Sequence, residues 1–298
     1  MANKELSPEL RIMLAFALSF LILLLSRPLL VRPPQPPAAG PGPAAEPSQP
    51  ARDKLSPGKE EAQLQADLPA APVAGQAEEL IIVESDRYRV VLSTRGAVVK
   101  SWTLKEYKDE RGGPLEVVHS EAAQRYGEPL SVWVADESAR AEVNQALFVP
   151  SASGELRAPL ALSFEYRGER VAARKQIVFA PDSYVVEIDS TLSADGRPVP
   201  HELAWRGGFG DRHDAVVRGT RWDVFYRQPD RMVRLAAGEV EGAASHVSGP
   251  FLFAGIEDHF FAAAFLPAQT GLRVTAFPDE VKVLDQEDPV ASIGVAVG

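Results

Sequence analysis

Five histidines are available for chemistry in this 298-residue chain: His119, His201, His213, His246 and His259. Two of them sit among carboxylates. GDRHDAVV gathers Asp211, His213 and Asp214, and EDHFF places Glu257 and Asp258 beside His259. A histidine next to a carboxylate can pass a proton as acid and base, and such a cluster can also hold a metal. Both stretches lie beside glycine or at a hairpin turn, where polar side chains simply face water. We therefore assign no catalytic residue, no metal ligand and no cofactor, and expect a protein that is not an enzyme. No H-E-x-x-H, P-loop or G-x-S-x-G occurs. RGGFGD is glycine-rich but lacks the Lys-Ser/Thr of a phosphate loop and reads as a turn. The absence of cysteine excludes a thiolate metal site, a cysteine nucleophile and a lipid-modified cysteine. It is compatible with an exported protein without requiring one.

The aromatic residues offer binding instead of catalysis. Trp102, Trp133, Trp205, Trp222, Phe251, Phe253, Phe260, Phe261 and Phe265 are candidates to line a groove for an unfolded chain. Sandwich interiors are filled by such side chains, so Trp102, Phe261 and Phe265 are expected in the core. TRWDVFYRQPDR is less regular. Trp222, Phe225 and Tyr226 within it are the residues expected to be partly exposed and to contact a partner.

Three segments must position these residues. Residues 1–31 include an apolar run, 12–31, whose 20 residues span a hydrocarbon core of roughly 30 Å at about 1.5 Å per residue. Arg27 lies near its far end, where it can snorkel. A cleaved signal peptide and an uncleaved signal anchor both remain open; prolines crowd the place of a cleavage site, which favours the anchor. Lys4 and Arg11 before the span nearly balance Arg27 and Arg32 after it. An N-in orientation, with the bulk outside the cytoplasm, is the expectation. Residues 32–79 read as a disordered tether, with 11 prolines in 33–79 and almost nothing aromatic or β-branched. Residues 80–298 are a run of short, often alternating β-type stretches separated by turn residues, with no long helical pattern. Antiparallel sheets packed as a large sandwich are expected, with short helices at SEAAQRYG and DESARAEVNQA. In the first hairpin Tyr88, Val90 and Leu92 share a face, Gly96 makes the reversal, and Val98, Trp102 and Leu104 are expected on one face of the second strand. A net charge of −10 makes nucleic acid an unsuitable partner.

The order of the pieces carries a resemblance. An apolar N-terminal segment and a Pro/Ala tether precede VESDRYRVVLSTRGAVVKSWTLKEYKDERGGPLEVV, with STRGA and KSWTLKEY inside it. RKQIVFAPDSYVVEIDSTLSADGRPV, GPFLFAGIEDHFFAAAFLP and ASIGVAVG follow in turn. Together they resemble the YidC family of membrane protein insertases. The resemblance implies a mainly β fold, an antiparallel β-supersandwich similar to sugar mutarotases, with few short helices. It implies a periplasmic domain on the bacterial inner (plasma) membrane that helps insert, fold and assemble integral membrane proteins, alone or with the Sec translocon. The implied partners are nascent membrane proteins and Sec components, besides the lipid bilayer met by residues 12–31. The family's five-helix insertase bundle finds no counterpart here, so the chain is expected to be the N-terminal part of such a protein. The likeness to mutarotases leaves an alternative: a carbohydrate-binding or mutarotase-like periplasmic protein, using a histidine and a carboxylate on a sugar ring.

Overall fold

A computed structural model describes residues 71–109, 112–210, 222–240, 244–268, 272–281 and 290–298. The apolar segment 12–31, most of the tether, and Asp211, His213 and Asp214 lie outside the described residues.

The described chain is mainly β, as its alternating pattern requires. Its strands, β1 to β19 in chain order, form four sheets. In the first, β1 (Leu80–Glu84), β2 (Tyr88–Ser93), β3 (Val98–Lys108), β4 (Pro114–Glu116) and β7 (Glu155–Arg157) lie in the order β4-β3-β2-β1-β7. The second orders β11 (Arg197–Pro198), β10 (Val186–Ala194), β9 (Val171–Phe179), β8 (Leu160–Arg167) and β6 (Val149–Pro150). The third runs β15 (Ser245–Gly249), β18 (Leu272–Val281), β19 (Val290–Val297), β12 (Glu202–Trp205) and β5 (Ser131–Trp133). The fourth runs β14 (Met232–Ala236), β13 (Asp223–Arg227), β16 (Phe253–Glu257) and β17 (Ala262–Phe265). Among these pairs only β1 and β7 are parallel. Inward residues of all four sheets join one core, for example Ile81, Phe164, Trp205, Val224 and Val295. Tilted rings connect the layers: Tyr88 meets Phe179 at 6.3 Å and Trp102 meets Trp205 at 6.4 Å.

The two expected helices form as α1 (Ser120–Tyr126) and α2 (Glu137–Gln145). Each begins at a side-chain cap: His119 Nδ1 accepts from Ala122 N–H at 3.2 Å, and Asp136 Oδ1 accepts from Ser138 N–H and Ala139 N–H at 2.9 and 3.0 Å. These caps satisfy amides that a helix start leaves without partners.

The first hairpin folds as its pattern demands on β2, where Tyr88, Val90 and Leu92 are fully buried. Gly96 turns the chain at φ 71°, followed by Ala97 at φ 48°. On β3 the expectation for Val98 is corrected. The register runs Val91↔Ser101 and then Leu92↔Val99, so Lys100 is an extra residue, a bulge. The bulge brings Val99 into line with Trp102 opposite the buried face of β2. Without it Lys100 would face the core; instead its ammonium reaches Glu128 Oε1 at 2.8 Å.

Ordered contacts also begin before residue 80. Val73 and Arg167 exchange backbone hydrogen bonds of 2.9 and 2.7 Å, and Gly75 N–H donates to Leu147 O at 2.8 Å. The end of the proline-rich stretch is thus bound to the sheets.

Candidate functional site

Trp222, Phe225 and Tyr226 are buried, at 4, 5 and 5% exposure, which corrects the expected partial exposure. The reason is that β13 is an inner strand, flanked by β14 and β16. Trp222, Val224 and Tyr226 join the common core. Phe225 points to the other side, where Phe253 packs against it edge-on at 5.9 Å. Arg234 and Gly255 are its cross-strand neighbours. Trp102 is core as expected, while Phe261 and Phe265 are half-buried against the core.

Glu257 ends β16, and Asp258 and His259 lie in the turn to β17. Asp258 Oδ1 accepts from the N–H groups of Phe260 and Phe261, both at 2.7 Å, and Glu257 pairs with Arg234. These are the contacts of a solvated turn. Among the described residues no group of three His, Asp or Glu is gathered as a metal site. His201 has both ring nitrogens engaged, with Val199 O at 3.1 Å and Ser190 Oγ at 2.8 Å. Burial pushes its pKa down, the nearby Lys175 adds to that, and the Val199 contact opposes it.

Three polar constellations were not visible in local sequence, because their members come from distant strands. On the third sheet, Thr275 donates to Glu202 Oε2 at 2.6 Å and meets His246 Nδ1 at 2.8 Å. This chain crosses from β12 to β15 over Ala296 of β19. Burial raises the pKa of Glu202, with Thr275 and Arg273 opposing. The arrangement links a buried carboxyl group through one hydroxyl to an exposed histidine. Second, Arg206 grips the fully buried Asp279. Its Nε lies 3.1 Å from Oδ2, and Gly207 N–H donates to the same oxygen at 2.9 Å. The guanidinium stacks over Phe277 at 3.9 Å. Third, Lys175 on β9 is 1% exposed and donates to Gly96 O, Ala97 O and Leu130 O at 2.8, 3.1 and 2.6 Å. Burial pushes its pKa down to about 7. Only an ammonium has the three N–H groups that three acceptors ask for, so these carbonyls pull the other way.

The water-facing apolar surface lies elsewhere. Tyr107, Phe260, Leu252 and Leu266 are 46, 57, 55 and 66% exposed. Tyr107 stands edge-on to Phe261 at 5.7 Å and 6.1 Å from Tyr184.

A family model described as the YidC periplasmic domain matches residues 80–296, most of the chain and nearly all of its sheets. The chain belongs to that family. A YidC membrane protein insertase from Anaeromyxobacter dehalogenans strain 2CP-C is 29% identical over 284 residues, covering 87% of this chain and 48% of the relative. One from Ralstonia nicotianae is 26% identical over 224 residues, covering 68% and 39%. The chain therefore spans half or less of these two YidC relatives. Among solved structures, a galactose mutarotase-like protein from Lactobacillus casei aligns with a TM-score of 0.41 at 11% identity, covering 73% of this chain and 86% of that one. No helix among the described residues of this YidC periplasmic domain is long and apolar enough to cross a membrane.

Proposed function

We propose that this chain serves a membrane protein insertase of the bacterial inner membrane as its periplasmic domain, held to the bilayer through residues 12–31. Its role is to bind, not to catalyse: it meets nascent membrane proteins as they emerge and touches components of the Sec translocon. The observation that supports this reading is the family match over residues 80–296, joined to relatives that carry the insertase name. Residues 80–298 hold 24 Lys and Arg against 32 Asp and Glu, a charge of −8, which fits a domain facing water and peptide better than one lying on anionic lipid.

The test uses spheroplasts producing the chain. Externally added protease should digest the β domain without membrane permeabilisation; protection in intact spheroplasts would overturn the location. Stalled nascent chains of a polytopic membrane protein, carrying a photoreactive residue at successive positions, should form adducts with this chain. No adduct at any chain length would overturn the substrate contact. A carbohydrate reading needs a histidine joined to a carboxyl group; among the described residues Glu202 and His246, connected through Thr275, form such a pair. Anomer exchange of a simple sugar by the purified chain, lost in His246→Ala, would move the conclusion there.

A further inference from the structure

The strand β17 alternates in burial but not in polarity. Phe261, Ala263 and Phe265 pack on the core, while Phe260, Ala262, Ala264 and Leu266 face water. Sheets with one wet face place polar residues there. Here both faces are apolar, and the sequence carries no charge from Phe260 to Leu272. The strand is also the edge of its sheet. Its pairing with β16 begins at the turn, where Asp258 N–H donates to Phe261 O at 2.9 Å. From the register Glu257↔Ala262, Ile256↔Ala263 and Gly255↔Ala264, hydrogen-bonded pairs alternate with open ones. Ala262 and Ala264 fall on the open pairs, so their N–H and C=O groups point away from β16, towards an edge on which no further strand lies among the described residues. Natural edges are blunted by shortness, charge, proline or a bulge; β17, at four residues, is short, but it carries no charge, proline or bulge. The first blunting residue here is Pro267, beyond the end of the strand.

We propose that β17 is a docking edge for an extended, uncharged apolar segment of another polypeptide, which adds itself to the fourth sheet as a fifth strand. The identity of that segment as a nascent membrane protein rests on the function proposed above; the strand addition does not. The free backbone groups require a strand, since a helix satisfies its own. Apolar side chains at Phe260, Ala262, Ala264 and Leu266 accept apolar ones, and the neighbouring carboxylates are engaged, Glu257 with Arg234 and Asp258 with the N–H groups of Phe260 and Phe261. Other occupants fit less well. Lipid cannot satisfy an open strand edge. Two chains at −10 each repel, which opposes a second copy. The chain's own tether is interrupted by prolines, which lack the N–H a ladder needs, and its longest proline-free run, 58–68, carries four charges that do not match an apolar edge.

The test takes the full chain in detergent and a fluorescein-labelled octapeptide of alternating valine and threonine, with binding read by fluorescence anisotropy. The unmodified peptide should bind. N-methylation of every backbone amide, which removes the donors of both edges, should weaken binding at least tenfold, and so should Ala264→Lys. Ala264→Lys should keep the wild-type circular dichroism and thermal midpoint, because its side chain points to water. Ala262→Ser, which keeps the edge open and uncharged, should bind within about threefold of wild type. Equal affinity for the N-methylated peptide, or no effect of Ala264→Lys, would overturn the proposal. Sedimentation showing a dimer that Ala264→Lys dissolves would overturn it in favour of a second copy. If peptide binds as expected but no nascent-chain adduct forms in spheroplasts, the strand addition stands and the insertase reading falls.

Discussion

Lys175 sits at an inward position of β9, between Ala173 and Ile177, where alternation calls for an apolar side chain. The pattern in ERVAARKQIVFA makes its inward direction legible in the sequence. Its three acceptors are not, since they lie 45 to 79 residues away. Two of those carbonyls belong to non-glycine residues with positive φ, Ala97 at 48° and Leu130 at 69°. The ammonium thus sits where two left-handed turns present their oxygens. Folding lowers this group's pKa from 10.5 to about 7. Between those values the unfolded chain holds more protons than the folded one, so stability rises with pH across that window. Below about pH 7 both states are charged, and the cost of burying the charge is felt in full. Lys175→Met removes the titration and leaves three carbonyls without their donor, each costing about 1–3 kcal/mol. Urea unfolding of both proteins from pH 6 to 10 should show a lower midpoint for the variant throughout, with a gap that widens as pH rises. A constant gap would contradict a depressed lysine.

At the scale of elements, α1 is seated on the loop after β12. Gly207 has φ 77°, and a Cβ there would stand 2.1 Å from the Cβ of Ala122. Gly207→Ala therefore meets two costs, a left-handed backbone worth about 1 kcal/mol and a clash with the helix. Ala122→Gly relieves only the second. In a double-mutant cycle read by chemical denaturation, Gly207→Ala should destabilise by about 2 kcal/mol or more. The double variant should then be more stable than the sum of the single changes predicts; strict additivity would mean that the two positions do not touch. Sequence pattern located α1, α2 and most strands, because period and turn chemistry are local. It placed Val98 wrongly because a bulge at Lys100 depends on the partner strand, and it exposed Phe225 because nothing local distinguishes an inner strand from an edge. FFAAAFLP reads as apolar either way; only the burial of alternate residues in the folded sheet shows that half of them face water.

For the whole molecule, composition places the start of the folded part at residue 80, whereas hydrogen bonds place it at least as early as Val73. The difference has a physical origin, since residues 71–79 have no apolar pattern and are held by polar contacts with distant strands. Val73 pairs with Arg167 and Gly75 with Leu147. Glu78 accepts from Ser93 Oγ at 2.6 Å and from Arg95 Nε at 3.0 Å, and these donors hold its carboxyl below the usual range. Glu79 N–H donates to Thr94 Oγ1 at 2.8 Å. Hydrogen bonds contribute about 1 kcal/mol each, and in a domain of this size 1 kcal/mol moves a thermal midpoint by about 2–4 °C. Removing residues 33–70 from the full chain in detergent should leave the midpoint of the β domain where it was, because a segment so rich in proline and poor in large apolar residues has little to bury. Removing 33–79 should lower it by about 5–10 °C. Equal midpoints for the two deletions would show that the last nine residues of the tether only lie on the sheets without supporting them. A fall already present in the shorter deletion would mean that the proline-rich segment packs against the domain after all.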